Sequence, residues 1–447
     1  MHGGAKESLA RGWLARDAAS VWHPFTQHSL WLGDEPTVVD RAEGPWLYDI
    51  EGNRYLDGVS SLWVTTFGHG TPEIDEAIRA QLARLDHSTF LGATHVPGIE
   101  LAERLLATAP TGVGPRLGKV FFAGDGSSAV EVALKMAYQH SVQTSGARPL
   151  FVHLQEAYHG DTLGAVSVGG MELFHATYRP LLLETVTISS PGLRKPGQTA
   201  AERAVEVSAE LAEAMARYGD QVCAIVVEPM VQAAAGMLTY DAHFLREARR
   251  LATEHGALLL CDEVAAGVGR TGRMWASEHA GIVPDLLTCG KGLTGGYLPL
   301  SAVLATDEVY ASFLGTAASG RTLFHGHTYT ANPLCCAAAN ANLDLMAASD
   351  LVGQAAALGD RLGALLAPLA AADSVVEIRR IGAMAGVEVR SVAERTGARV
   401  CAAARRRGVW LRPLGDTVVL MPPLTLTAEE TELLVTALTD AVAEVVG

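Results

Sequence analysis

Ala257-Leu258-Leu259-Leu260-Cys261-Asp262 is an unbroken apolar run that ends in a carboxylate, and Leu286-Leu287-Thr288-Cys289-Gly290-Lys291 later repeats the pattern with an amine at its end. Apolar runs this short, without alternation, are strands covered on both faces. Before the first run, Phe244, Leu245, Ala248, Leu251 and Ala252 recur at helical spacing, with Asp241 as N-cap and Gly256 as the stop. Lys119 to Ala123, Leu150 to Leu154, Val222 to Glu228 and Ala302 to Ala305 read as further strands, and Ser127 to His140 as a helix. Continuous apolar strands separated by helices predict an α/β fold with a large, mainly parallel sheet.

The ends of the 447-residue chain read differently. Residues 37–58 carry turn signals at Glu43-Gly44-Pro45 and Glu51-Gly52-Asn53 between short strands. Residues 350–447 give a helix, a hairpin-like stretch from Val375 to Val389, a strand near Val409 and a final helix. Both ends are expected to form one smaller α+β domain, divided as 1–70 and 341–447 around a large domain at 71–340. Leu193 to Ala201 reads as a surface loop.

A net charge of −15 argues against nucleic-acid binding, which needs clustered cations. Arg405-Arg406-Arg407 is the tight basic run, and it reads as charge placed at a helix end. The six cysteines form no CxxC pair, so neither a disulfide framework nor a metal site is expected. No apolar stretch reaches the ~20 residues of a membrane helix, and no secretory signal is visible. A soluble cytoplasmic protein without membrane or nucleic-acid partners is the expectation.

Ligands of open α/β sheets bind beyond the carboxyl ends of the strands. Asp262, Lys291 and the turn Gly124-Asp125-Gly126-Ser127-Ser128 all fall at such ends. Singly, each has a bland alternative: a helix cap, a solvated lysine, an ordinary turn. Together they suit one cofactor. Backbone N–H groups at Gly126-Ser127 open a helix and suit a phosphate. Asp262 can pair with a protonated ring nitrogen, and Lys291, flanked by glycines, has an amine free to condense with a carbonyl. Those three functions describe a pyridoxal 5′-phosphate site.

Leu259 to Val264, Gly267-Val268-Gly269-Arg270-Thr271-Gly272, Pro284-Asp285 and Gly290-Lys291-Gly292 resemble the class III aminotransferases of PLP fold type I, the aspartate aminotransferase-like fold. The resemblance runs from about Trp22 to the C-terminus. It implies Lys291, Asp262 and Tyr158 as catalytic residues, with Val264 and Tyr158 on opposite faces of the cofactor ring. Gly126 and Ser127 would hold the phosphate, joined by His327 and by Thr328 from the partner subunit of a homodimer with shared active sites. For Val264 and Tyr158 the alternative is plain core packing.

Trp22-His23-Pro24-Phe25-Thr26, Asp57-Gly58-Val59-Ser60-Ser61, Tyr158-His159-Gly160-Asp161-Thr162 and Arg412-Pro413-Leu414-Gly415 resemble the branch that aminates 8-amino-7-oxononanoate (KAPA) to 7,8-diaminononanoate. That branch implies Phe25, Leu62, Trp63, Asp161, Gly326 and Arg412 as substrate contacts. Arg412 would take a carboxylate, its alternative being an ion pair. Asp161 would face an amino group or cap a helix. Arg270 reads as structural. Forms that use S-adenosylmethionine as amino donor have Tyr and Trp where this chain has Phe25 and Leu62, so the resemblance leans towards lysine as donor. Other ω-amino-acid, diamine or ornithine aminotransferases, an aminomutase, and a non-catalytic nucleotide binder are the rivals.

Overall fold

The computed structural model describes residues 3–447. Its largest sheet is built from β1 (Leu117–Ala123), β2 (Leu150–Leu154), β3 (Val186–Ile188), β4 (Val222–Val227), β5 (Leu258–Asp262), β6 (Leu286–Cys289) and β7 (Ser301–Thr306). They lie side by side as β1-β7-β6-β5-β4-β2-β3. Every residue of β2, β4, β5, β6 and β7 is buried, as their unbroken apolar character requires. β2 to β6 run parallel to their neighbours within that set, whereas β7 is antiparallel to both β6 and β1. Apolar content foretells that β7 is buried but not which way it runs.

Helices cover the two faces. α1 (Gly126–Thr144) opens beneath the N-cap Asp125, whose carboxylate accepts from the Ser128 N–H at 2.9 Å. α2 (Ala242–His255) is capped by Asp241 and stopped by Gly256 at φ +64°, a left-handed position that glycine adopts without strain. It is pinned to the sheet by a buried pair. Asp285, just before β6, accepts from Arg249 Nη1 at 2.6 Å and from the Leu259 N–H at 2.7 Å.

The chain ends meet in a second sheet, where the antiparallel strands Val39–Glu43, Trp46–Asp49 and Arg54–Asp57 are extended by Val409–Trp410 in parallel register, Val409 opposite Leu56. A third sheet joins the hairpin Val375–Ile381 and Met384–Val389 to Thr417–Leu420 and Arg412–Leu414. Arg270 is fully buried and ties these parts together, donating to the backbone carbonyls of Pro422 and, at 2.7 Å, Thr65. The basic run ends the helix Thr396–Arg406, and Arg406 and Arg407 both pair with Glu444.

Candidate active site

Strand register brings the candidate groups together. Asp262 ends β5 opposite Thr288 of β6, Lys291 lies two residues past β6, and the Gly126-Ser127 turn follows β1. All border one cavity of about 430 Å³, whose wall also includes Trp63, Tyr158 and Val264. The Lys291 amine lies 5.4 Å from the centroid of the Trp63 ring. Burial pushes that amine below its ordinary value, opposed by the charges of Asp262 and Glu228. Close approach on this turn depends on its glycines: a Cβ on Gly292 would come within 3.3 Å of Thr66 Cγ2. Trp63 reaches the cavity from a turn in which Ser60, Ser61 and Trp63 all have positive φ. Buried Asp57 holds that turn by accepting from the N–H groups of Val59 at 3.2 Å and Ser61 at 2.7 Å.

Asp262 is fixed by three donors: His159 Nδ1 at 2.7 Å, Thr288 Oγ1 at 3.0 Å and the Val264 N–H at 3.0 Å. A carboxylate has about four acceptor positions, so one remains for a ligand. His159 is wholly buried. Burial works against its charged form, but its hydrogen bond to Asp262 and that carboxylate's charge outweigh this, and the imidazole titrates above its ordinary value.

The phosphate-type turn has a structural logic that the sequence alone does not show. Asp125 takes both the N–H and, at 3.1 Å, the hydroxyl of Ser128, while the preceding residues Gly126 and Ser127, whose N–H groups open the helix without intrahelical acceptors, line the cavity. Ser127 Oγ lies 2.8 Å from Thr162 Oγ1 and accepts from the Thr162 N–H at 3.1 Å. A Cβ on Gly126 would strike Val264 at 2.7 Å, so the turn and Val264 close on each other from opposite sides.

Tyr158 donates to Asp161 Oδ2 at 3.0 Å, and burial together with that carboxylate pushes the phenol up. Asp161 caps nothing: the helix Leu163–Ser167 has Thr162 at its N-cap without a side-chain bond. Its carboxylate therefore sits at the cavity wall, which removes the capping alternative. Glu228, one residue beyond β4, also lines the cavity and was missed as a site residue. It accepts from the N–H groups of Tyr158 at 3.1 Å and Ala233 at 3.0 Å, and burial pushes it up to about 7. The rule that found Asp262, a polar residue where an apolar strand ends, applies equally to Glu228. His159 was quoted only as part of a motif.

Phe25, Leu62, Gly326, His327, Thr328 and Arg412 are not in the cavity wall of this chain. Phe25 is linked to it through Phe174, their centroids 5.4 Å apart, and Phe174 lies 6.2 Å from Tyr158. Leu62 is exposed, one residue from Trp63. Residues 321–327 form an irregular stretch beside α1, where Lys135 Nζ donates to the Phe324 carbonyl at 2.9 Å. Arg412 is half-buried, and burial holds it below its ordinary value. Among the described residues of this chain no ion pair or side-chain hydrogen bond engages it, which removes an ion pair within the chain and leaves one across a dimer interface as the alternative. Among the described residues no cluster of metal-ligating side chains occurs, and no helix is long and apolar enough to cross a membrane.

Residues 32–442 match the family model of class-III aminotransferases. The chain is 48% identical over 433 residues to the adenosylmethionine-8-amino-7-oxononanoate aminotransferase of Nitratidesulfovibrio vulgaris, covering 94% of this chain and 79% of that protein. It is 45% identical to the protein of the same description from Geobacter sulfurreducens, covering 96% of this chain and 97% of the relative. The crystal structure of such an aminotransferase from Methanocaldococcus jannaschii superposes with a TM-score of 0.89 at 36% identity, covering 98% of this chain and 99% of that one. A PLP-bound amine transaminase from an uncultivated Pseudomonas species gives 0.90 at 35% identity, with coverages of 95% and 99%.

Proposed function

The chain belongs to the class-III aminotransferases, and we propose that it moves an amino group onto the ketone of KAPA to give 7,8-diaminononanoate, the biotin-pathway reaction, with pyridoxal phosphate held at Lys291. The observation that carries the reading is the convergence of Lys291, Asp262 and the Gly126-Ser127 turn on one cavity. The cavity suits the cofactor: Gly126 and Val264 close on each other, Asp262 keeps one acceptor position open, and the buried indole N–H of Trp63 has no protein partner.

When bound, pyridoxal phosphate supplies an electron sink that lets the C–H bond beside a substrate nitrogen ionise. The protein supplies the rest. Gly126 and Ser127 present N–H groups to the phosphate at the start of α1. Asp262, oriented by His159 and Thr288, places negative charge against the ring nitrogen. Burial favours a neutral Lys291 amine, which serves as base and then acid in moving a proton at the substrate carbon. Tyr158 and Val264 confine the ring from the cavity walls. Arg412, without a side-chain partner among the described residues of this chain, is the group for the terminal carboxylate of KAPA.

We read this as a homodimer with shared sites, in which Gly326, His327 and Thr328 enter the partner's cavity. Support comes from their absence from this chain's own cavity wall and from the bare apolar side chains nearby. Phe324 is 80% exposed and Tyr329 67%. Sedimentation of a catalytically active monomer would contradict it.

The relatives are named for adenosylmethionine, yet Phe25 offers no hydroxyl and Leu62 no aromatic face to such a donor. We therefore favour lysine as donor. Mixing the PLP form with each donor separately, then adding KAPA, tests both parts. Conversion of the cofactor spectrum by lysine alone, reversed by KAPA, is expected. Conversion by S-adenosylmethionine alone overturns the donor assignment, and indifference to KAPA overturns the substrate.

A further inference from the structure

Ahead of the cavity, residues 17–31 form a knot around one carboxylate. Asp17 accepts from His23 Nε2 at 2.9 Å and from the Trp31 indole N–H at 2.7 Å. The His23 ring lies against Trp31 with centroids 4.1 Å apart, and the His23 N–H donates to His28 Nε2 at 3.0 Å. Between these fixed points Phe25 sits at φ +51°, a left-handed conformation that a bulky residue holds only when its surroundings impose it. The imposed turn sends Phe25 edge-on to Phe174, which in turn meets Tyr158 of the cavity wall.

We propose that Asp17 is a positioning residue whose carboxylate, through His23 and Trp31, sets Phe25 at the mouth of the cavity and so controls passage to Lys291. A knot that merely tethered the N-terminal helix Gly3–Ser20, which carries Asp17, would have no need of a strained Phe25 turned towards Phe174. The inference rests on the reading of this cavity as the active site, but on no particular substrate.

Asp17 lies outside the buried core, so Asp17→Ala leaves the sheets intact, which unchanged amide exchange over residues 258–262 checks. Two measurements then decide. In hydrogen–deuterium exchange of the protein without cofactor, Asp17→Ala should speed exchange over residues 22–31 at least severalfold. Unchanged exchange there overturns the knot. The second probe is phenylhydrazine, which condenses with lysine-bound pyridoxal phosphate whatever the natural substrate, so its rate reports access alone. Asp17→Ala and Phe25→Ala should each change that rate three- to tenfold in the same direction, and the double variant should match Phe25→Ala. Multiplied effects, or an unaltered rate in Asp17→Ala, overturn the proposal. Failure of KAPA turnover with this result intact would fall on the substrate assignment alone.

Discussion

The imidazole of His159 and the carboxylate of Asp262, both buried and both in the cavity wall, are joined by a 2.7 Å hydrogen bond. A charge-assisted bond of this kind fixes the carboxylate's orientation before any ligand arrives. Hydrogen bonds to charged groups are worth about 1.5–3 kcal/mol. His159→Ala should accordingly weaken pyridoxal phosphate binding by roughly ten- to a hundredfold, measured by dialysis against limiting cofactor. Unchanged affinity would show that Thr288 and the Val264 N–H suffice.

Glu228 makes stability depend on pH. Its folded value of about 7 exceeds its ordinary 4.5 because burial disfavours the carboxylate. A raised value binds protons more tightly in the folded state, so its contribution is fully present below pH 4.5 and is lost as pH rises through about 7. Glu263, also raised to about 7 by burial, acts in the same window. Glu228→Gln should flatten part of the decline in melting temperature across that window. A profile parallel to wild type would contradict the shift.

Arg412 offers a guanidinium fork with no competing partner among the described residues of this chain, so its removal should be felt mainly in binding. Arg412→Met is expected to raise the KM for KAPA by about ten- to a hundredfold, the equivalent of a lost charged hydrogen bond. kcat should change much less. Steady-state kinetics with a saturating donor separates the two, and an unaltered KM would remove Arg412 from carboxylate recognition.

Asp285 pairs with Arg249 in the core and also satisfies the first residues of β5 through Leu259. Asp285→Ala strands a buried guanidinium, which costs about 3–5 kcal/mol. Denaturant titration should register a loss of that order. A loss below about 1 kcal/mol would mean that water rescues Arg249.

The strand ends were readable because two rules coincide there: unbroken apolar runs mark buried strands, and ligands collect where such strands stop. That reading placed Asp262, Lys291 and Gly126 in one cavity before any contact was known. The edge strand Val186–Ile188 was missed because three residues carry too little pattern. The reversed direction of Ser301–Thr306 is set by chain connection and leaves no mark on its apolar side chains. Glu228 went unnoticed as the last letter of a strand. The roles of Asp125 and His159 depend on hydrogen bonds to Ser128 and Asp262, geometry that a motif contains but does not display.

Among the chain's five lysines, Lys291 alone is assigned to the cofactor. Borohydride reduction of the pyridoxal phosphate-loaded protein, followed by peptide mapping, reads that assignment directly. A single pyridoxyl label on Lys291 is expected, with Lys291→Ala unlabelled and inactive. A label on Lys6, Lys119, Lys135 or Lys195 in the wild-type protein, or turnover retained by Lys291→Ala, would contradict it.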